Sequence, residues 1–163
     1  MTREKFDEIW LQKTPIQLTE ELWDFIQLLD TLNVKNILEI GTGAGGSGMF
    51  WKEYGNVLSV DILDKDVPFG FLKGDSKDPE TIKKVKELMP EIDLLFIDGD
   101  HSEKAVYEDI KNYAPLARIV AFHDTYGIQS VKDAVKRGQR DGYLYGRKEE
   151  FNYEWGITCF IKE

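Results

Sequence analysis

The sequence contains one cysteine, Cys159, in 163 residues. No disulfide can therefore form within the chain, which fits a reducing compartment. Basic side chains are also short: 21 Lys and Arg stand against 30 Asp and Glu, for a formal net charge of −9. A surface that follows nucleic-acid phosphates needs clustered Lys or Arg. Pairs such as Lys83-Lys84 and Arg147-Lys148 are too small to supply it, so no nucleic-acid partner is expected. No apolar run approaches the roughly eighteen residues of a membrane span, and no membrane partner is expected. Half of Met1 to Trp10 is charged, and the segment lacks the apolar core of a signal peptide. The expected setting is the cytoplasm. Repeats, low-complexity tracts and linkers are missing too, which leaves one domain over 1–163.

What is present suffices for a packed interior: 42% apolar residues, with nine Phe, seven Tyr and four Trp. The first third reads as helix. Phe6, Ile9 and Trp10 share a face, and Leu22, Phe25, Ile26, Leu29 and Leu32 recur at the spacing of a buried stripe after Thr19, an expected N-cap. From residue 36 strands and helices alternate. Strands are expected at 36–40, 57–60, 69–73, 93–97, 118–122 and 157–161. Helices are expected over 44–54, after Asp78-Pro79-Glu80, from Ser102 to about Tyr113, and around Ile128, Val131 and Val135. Strands that are apolar throughout, separated by amphipathic helices, predict an α/β doubly wound, mostly parallel sheet covered on both faces. Trp10, Trp23, Trp51 and Cys159 are expected in the core.

Ligands of such sheets bind at the carboxyl ends of strands. There the sequence places Glu39-Ile40-Gly41-Thr42-Gly43-Ala44-Gly45-Gly46, with Asp61 about twenty residues on at the end of the next strand. Glycine allows the tight turn and a close backbone approach to a ligand. Gly41, Gly43 and Gly46 satisfy a dinucleotide pattern, whereas Gly41, Gly43 and Gly45 satisfy a nucleoside-type loop. Asp61 would accept hydrogen bonds from both ribose hydroxyls, beside Ile62. Glu39 would put a negative charge by the ligand, which suits a cationic sulfonium better than a pyrophosphate. Asp75 and Ser76, after the third strand, can meet an adenine edge or simply form a turn.

A second constellation ends two further strands: Asp98-Gly99-Asp100-His101 and His123-Asp124. In this type of sheet the two strands are neighbours, so the side chains can converge on one cleft. Carboxylates with imidazole and open positions suit Mg²⁺ or Mn²⁺ with water completing the shell. The competing reading has these groups capping loops and bonding one another, for example His123 with Asp98.

The segments Ile37-Leu38-Glu39-Ile40-Gly41-Thr42-Gly43, Leu58-Ser59-Val60-Asp61, Phe96-Ile97-Asp98-Gly99-Asp100-His101-Ser102 and Phe122-His123-Asp124 resemble the class I S-adenosylmethionine-dependent methyltransferases. The similarity is greatest to the small-molecule O-methyltransferase branch, with the macrolide-sugar methyltransferases and cephalosporin hydroxylase-like proteins. The resemblance implies N-terminal helices over 1–33 and a Rossmann-like core over 36–161, with about six or seven strands and an antiparallel closing hairpin. It implies S-adenosylmethionine held by Glu39, Gly41, Thr42, Gly43, Gly45, Asp61, Ile62, Asp75, Ser76 and Asp98. It further implies a metal on Asp98, Asp124 and His123, and proton transfer by Asp100 or His123. The partner would be a small acceptor with a hydroxyl group, and a homo-oligomer is compatible with the branch. His123 falls where these enzymes often carry another aspartate.

Three departures stand out. Glu103-Lys104 replaces the usual Tyr-Glu, Leu116-Ala117-Arg118 replaces a Pro-Gly-Gly turn, and little chain is left over for an acceptor lid. Tyr143, Tyr145, Phe151, Tyr153 and Trp155 could line a pocket, although an aromatic sixth strand at the core edge is the favoured reading. Two other functions stay open. One is a non-catalytic nucleoside-binding module. The other is a nicotinamide-dependent oxidoreductase, which leaves Asp98 to His101 without a role. Methylation of nucleic acid is disfavoured by charge and by the lack of an Asn/Asp-Pro-Pro-aromatic motif after the fourth strand.

Overall fold

In the computed structural model, which describes residues 1–162, the apolar strands pair into one seven-stranded sheet. The chain begins with α1 (Arg3–Gln12) and α2 (Thr19–Leu29), then enters β1 (Asn36–Ile40), α3 (Gly46–Trp51) and β2 (Asn56–Asp61). It continues through β3 (Gly70–Lys73), α4 (Pro79–Leu88), β4 (Ile92–Ile97) and α5 (Glu103–Tyr113). The last elements are β5 (Ala117–Phe122), α6 (Gln129–Arg140), β6 (Arg147–Phe151) and β7 (Ile157–Ile161). Sheet order is β3-β2-β1-β4-β5-β7-β6, with β7 antiparallel to both of its neighbours and the other pairings parallel.

The period of two along each strand splits the interior. Leu38, Ile40, Leu95, Ile97, Val120 and Phe122 meet the apolar stripes of α4, α5 and α6 on one face. Ile37, Leu94, Phe96, Ile119 and Cys159 meet α1, α2 and α3 on the other, together with Phe25, Phe50 and Trp51. Trp10 and Trp23 pack on that second cluster, partly buried. Caps fix two helix starts as expected: Asp78 accepts from the backbone N–H groups of Glu80 and Thr81, and Ser102 from that of Ala105.

Local chemistry shifts several boundaries. Thr19 is the first residue of α2 rather than its cap; Leu18 holds the cap position and makes no side-chain bond. The helix expected over 44–54 is limited to α3, because Gly45 lies at φ 82° and tight turns take over after Trp51. The aromatic segment does not form an aromatic strand. Of its five rings only Phe151 lies in β6, whose other residues are charged, and Tyr145 is exposed.

Chain order reverses between β1 and β4: β2 and β3 extend the sheet to one side of β1, while β4 and β5 extend it to the other. A crevice opens above such a switch point, at the carboxyl ends of the strands.

Candidate functional site

A cleft of about 390 Å³ occupies that switch point. Its volume lies within the roughly 300–1,000 Å³ of small-molecule sites. The floor is the turn after β1. Gly41 sits at φ +92°, and a Cβ there would lie 2.2 Å from the backbone oxygen of Asp98, so only glycine lets the turn pass this close to β4. The ladder continues past the strands: Gly41 N donates to Val60 O at 2.9 Å and Asp98 N to Ile40 O at 2.8 Å.

The second wall comes from β4 and β5. Asp98, His123 and Asp124 each bring one donor atom, all within 4.8 Å of one another. Asp124 is the one non-glycine residue with positive φ among the described residues, at 62°. Such a conformation is uncommon and costs about 1 kcal/mol or more, and here it belongs to the residue whose Oδ2 faces both histidines. His101 Nε2 lies 2.9 Å from it and His123 Nδ1 3.3 Å.

A third wall is the segment between α1 and α2. Pro15, Ile16 and Gln17 line the cleft, as does Trp155. Gly46 admits this segment, since a Cβ there would stand 2.5 Å from Pro15 Cα. Buried Gln17 donates from Nε2 to Asp98 Oδ2 at 2.7 Å, while its Oε1 has no partner.

Charge in the cleft is heavily coupled. Burial alone would lower the His123 pKa, but hydrogen bonding to Asp124, Asp98 and Glu21 outweighs it and pushes the ring up to about 11. The carboxylates of Asp124, 2.9 Å from Nε2, and Asp98, 3.7 Å away, raise His101 to about 10. Burial pushes Asp124 upward, yet its bonds to the two imidazoles prevail and hold it well below the usual carboxylate range.

The structure gathers some of the sequence candidates and not others. Gly41, Thr42, Gly43, Asp98, His123 and Asp124 line the cleft; Gly45 is flanked by Ala44 and Gly46, which do. The Glu39 carboxylate does not reach it. Glu39 is fully buried on the α3 face of β1, where Oε1 accepts from Ser47 Oγ at 2.6 Å and Trp51 Nε1 at 2.9 Å, and Oε2 from Ser59 Oγ at 2.7 Å. Burial raises its pKa to about 7 against the opposing pull of those bonds. The charge expected beside a ligand is instead an internal brace of the glycine turn.

Asp61 buttresses the same turn, accepting from the N–H groups of Thr42 at 3.1 Å and Gly43 at 3.3 Å. Asp75 is held by Lys77 Nζ at 2.8 Å, which lowers its pKa through that side-chain bond. Ser76 is buried and its carbonyl accepts from Tyr113 Oη at 2.7 Å. Ile62 is exposed at the end of β2. Asp100 stands outside the cleft lining, because its Oδ1 closes a turn by accepting from Ser102 N at 2.8 Å. The expected bond between His123 and Asp98 is long, 3.4 Å.

Sequence reading did not single out Gln17, Ile16 or Glu21, or give His101 a role of its own. Glu21 is fully buried and accepts from Gly156 N at 2.6 Å, with His123 Nε2 2.9 Å away. An acid inside an apolar helical stripe was the available signal for Glu21.

Comparison with known proteins gives the family and the fold. The profile of the family described as rhamnosyl O-methyltransferase/CmcI matches residues 4–125. The chain belongs to that family. A rhamnosyl O-methyltransferase of Mycobacterium leprae (strain TN) is 27% identical over 124 residues, which cover 66% of this chain and 54% of the relative. The chain thus spans about half the length of the curated relative it matches. Among solved structures, the MycE methyltransferase of the mycinamycin biosynthetic pathway, in complex with Mg, SAH and mycinamycin VI, superposes with a TM-score of 0.73 at 18% identity. That match covers 97% of this chain and 54% of MycE. An O-methyltransferase from Bacillus cereus in complex with SAH gives 0.68 at 15% identity, over 99% and 92% of the two chains. These likenesses establish the Rossmann-like α/β fold. No helix among the described residues is long and apolar enough to cross a membrane.

Proposed function

We propose that the chain binds S-adenosylmethionine and transfers its methyl group to a hydroxyl of a small acceptor, assisted by a divalent cation. The observation that carries this reading is the meeting of the glycine turn with Asp98, His123 and Asp124 in one cleft. Family membership supports it, as do the SAH and Mg of structural neighbours. SAH is what S-adenosylmethionine becomes when it gives up its methyl group.

In this reading the cofactor lies along the carboxyl edge of the sheet. The backbone of Gly41, Thr42 and Gly43 lets it approach, with Gly45 completing the turn. Asp61 would accept from the ribose, where its carboxylate keeps a lone pair beyond the bonds from Thr42, Gly43 and Leu63. Ile62, Asp75 and Ser76, at the ends of β2 and β3, would flank the adenine. Glu39 acts from behind, through a hydroxyl chain: Thr42 Oγ1 lies 2.7 Å from Ser59 Oγ, which donates to the Glu39 carboxylate.

The donor set fits a divalent ion: two carboxylates and an imidazole converge, and Gln17, which lines the same cleft, holds Asp98 through Nε2. A cation there would offset the two carboxylates that keep His101 protonated and lower the pKa of an acceptor hydroxyl. His101, rather than Asp100 or His123, is the proton acceptor in this scheme, because its imidazole lines the cleft and is half exposed. As the acceptor oxygen forms its bond to the methyl carbon, the S–CH₃ bond breaks with both electrons passing to sulfur. The hydroxyl proton would pass to His101 Nε2, which becomes free to accept it where the cation takes up the Asp124 carboxylate that otherwise faces it. Sulfonium becomes neutral thioether, so the reaction needs alignment and proton removal more than further activation.

Calorimetric titration with S-adenosylmethionine, with and without divalent metal and beside NAD, is the first test. Methyl transfer to a panel of hydroxylated glycosides is the second. Saturable binding of S-adenosylmethionine and methyl transfer abolished in Asp98→Asn are expected. Binding of NAD alone would sink the reading. S-adenosylmethionine binding that is indifferent to Asp98→Asn, with no transfer to any acceptor, would leave a nucleoside-binding module.

A further inference from the structure

Building on the metal-assisted reading, we propose that the cleft selects a first-row transition ion, Mn²⁺ or a later member of the series, over Mg²⁺, because Glu21 fixes His123 as a nitrogen ligand. The argument starts from the far side of the imidazole. Glu21 Oε2 is held by the N–H of Gly156 at 2.6 Å, which leaves Oε1 facing His123 Nε2 at 2.9 Å. Nε2 is thus the nitrogen turned towards the Glu21 carboxylate, which can accept its N–H. The other nitrogen is thereby assigned to the cleft: Nδ1 stands 3.4 Å from Asp98 Oδ1 and 3.3 Å from Asp124 Oδ2. Burial, at 4% exposure, and the contact of Nε2 with Glu21 hold the ring in this orientation.

A carboxylate behind a histidine that presents its second nitrogen to a cation is a recurring support for metal-binding imidazole. It sets the tautomer and makes the ligand nitrogen more basic. Gln17 steadies the neighbouring ligand: it is nearly fully buried and donates from Nε2 to Asp98 Oδ2 at 2.7 Å.

Imidazole changes which ion the site prefers. Mg²⁺ takes oxygen ligands and dehydrates reluctantly. Nitrogen ligands favour the transition ions, with affinity rising from Mn²⁺ towards the later members. MycE was crystallised with Mg; this chain offers two carboxylates and a braced nitrogen.

The test uses the full chain saturated with S-adenosylmethionine and follows added Mn²⁺ by electron paramagnetic resonance. Mn²⁺ should bind with Mg²⁺ competing only at about tenfold excess or more. Spin-echo spectra of bound Mn²⁺ should show modulation from a directly bound nitrogen, a readout that needs no variant. His123→Asp should lose the modulation and bring the two ions close together in affinity. Glu21→Gln should weaken Mn²⁺ by about 10–100-fold and Mg²⁺ far less, with unchanged circular dichroism as the check on folding. Bound Mn²⁺ without nitrogen modulation, or Mg²⁺ competing one for one, overturns the proposal while leaving a metal-assisted enzyme standing. If neither ion binds, this proposal and the metal reading fall together.

Discussion

Replacing Glu39 by Gln should make the protein more stable at neutral and alkaline pH, by an amount that grows with pH. Glu39 is fully buried with no cation against it, and burial lifts its pKa from 4.5 to about 7. Each tenfold change in proton affinity corresponds to about 1.4 kcal/mol. The shift therefore costs the folded state on the order of 3 kcal/mol once the carboxyl has to ionise. The sign follows from proton counting. The folded state holds this proton more tightly than the unfolded state, so the contribution is fully present below about pH 4.5 and is lost as pH rises through about 7.

Gln can keep the network intact. Its oxygen accepts from Ser47 and Trp51, and its amide donates to Ser59, whose hydroxyl then turns to Thr42. Urea unfolding of wild type and variant at several pH values is the assay. The variant's advantage should widen by about 2.5 kcal/mol between about pH 5 and pH 8 and level off above it. A difference that stays flat, or that favours wild type more strongly at high pH, would refute the burial argument.

Asp109 offers a parallel case on the opposite face of the sheet. Burial raises it from 3.8 to about 6, Oδ1 has no partner, and Asp109→Asn should gain about 3 kcal/mol relative to wild type as pH rises from below about 4 through that value, read by thermal melts. Gly41→Ala forces both a positive φ and a backbone clash, so it should cost about 2 kcal/mol or more and abolish cofactor binding in calorimetry. Ile16, 78% exposed, lines the cleft without supporting the core. Ile16→Ser should leave unfolding within about 0.5 kcal/mol of wild type while weakening S-adenosylmethionine binding. Trp155 borders the same cleft, so ligand should alter the intrinsic fluorescence of wild type and much less that of Trp155→Phe.

The sheet was legible because it rests on local signals. Continuous apolar runs mark strands buried on both faces, and Asp78-Pro79 and Ser102 announce their helices through backbone donors that need capping. The strand ends carrying Asp98 and His123-Asp124 followed from the same pattern. Hidden from it were the roles of side chains whose partners lie far along the chain. Glu39 looks like a ligand contact until Trp51, 12 residues on, and Ser59, 20 residues on, claim its oxygens. Asp100 and His101 are adjacent, yet a turn to Ser102 takes the aspartate out of the cleft and leaves the histidine in it. Gln17 meets Asp98 across 81 positions and Glu21 meets His123 across 102. Spacing rules carry no information over such separations.

The bond from Gly156 to Glu21 has a dynamic consequence. It joins α2, the end of β5 and the connection between β6 and β7 through one carboxylate. If α2 frays, the imidazole loses its brace, and the neighbouring segment that carries Gln17 is loosened as well. Opening of these parts is then a single cooperative event rather than three. A molecule lodged in the cleft should accordingly slow hydrogen exchange in α2 and at Gly156 together, at amides well removed from the atoms it touches.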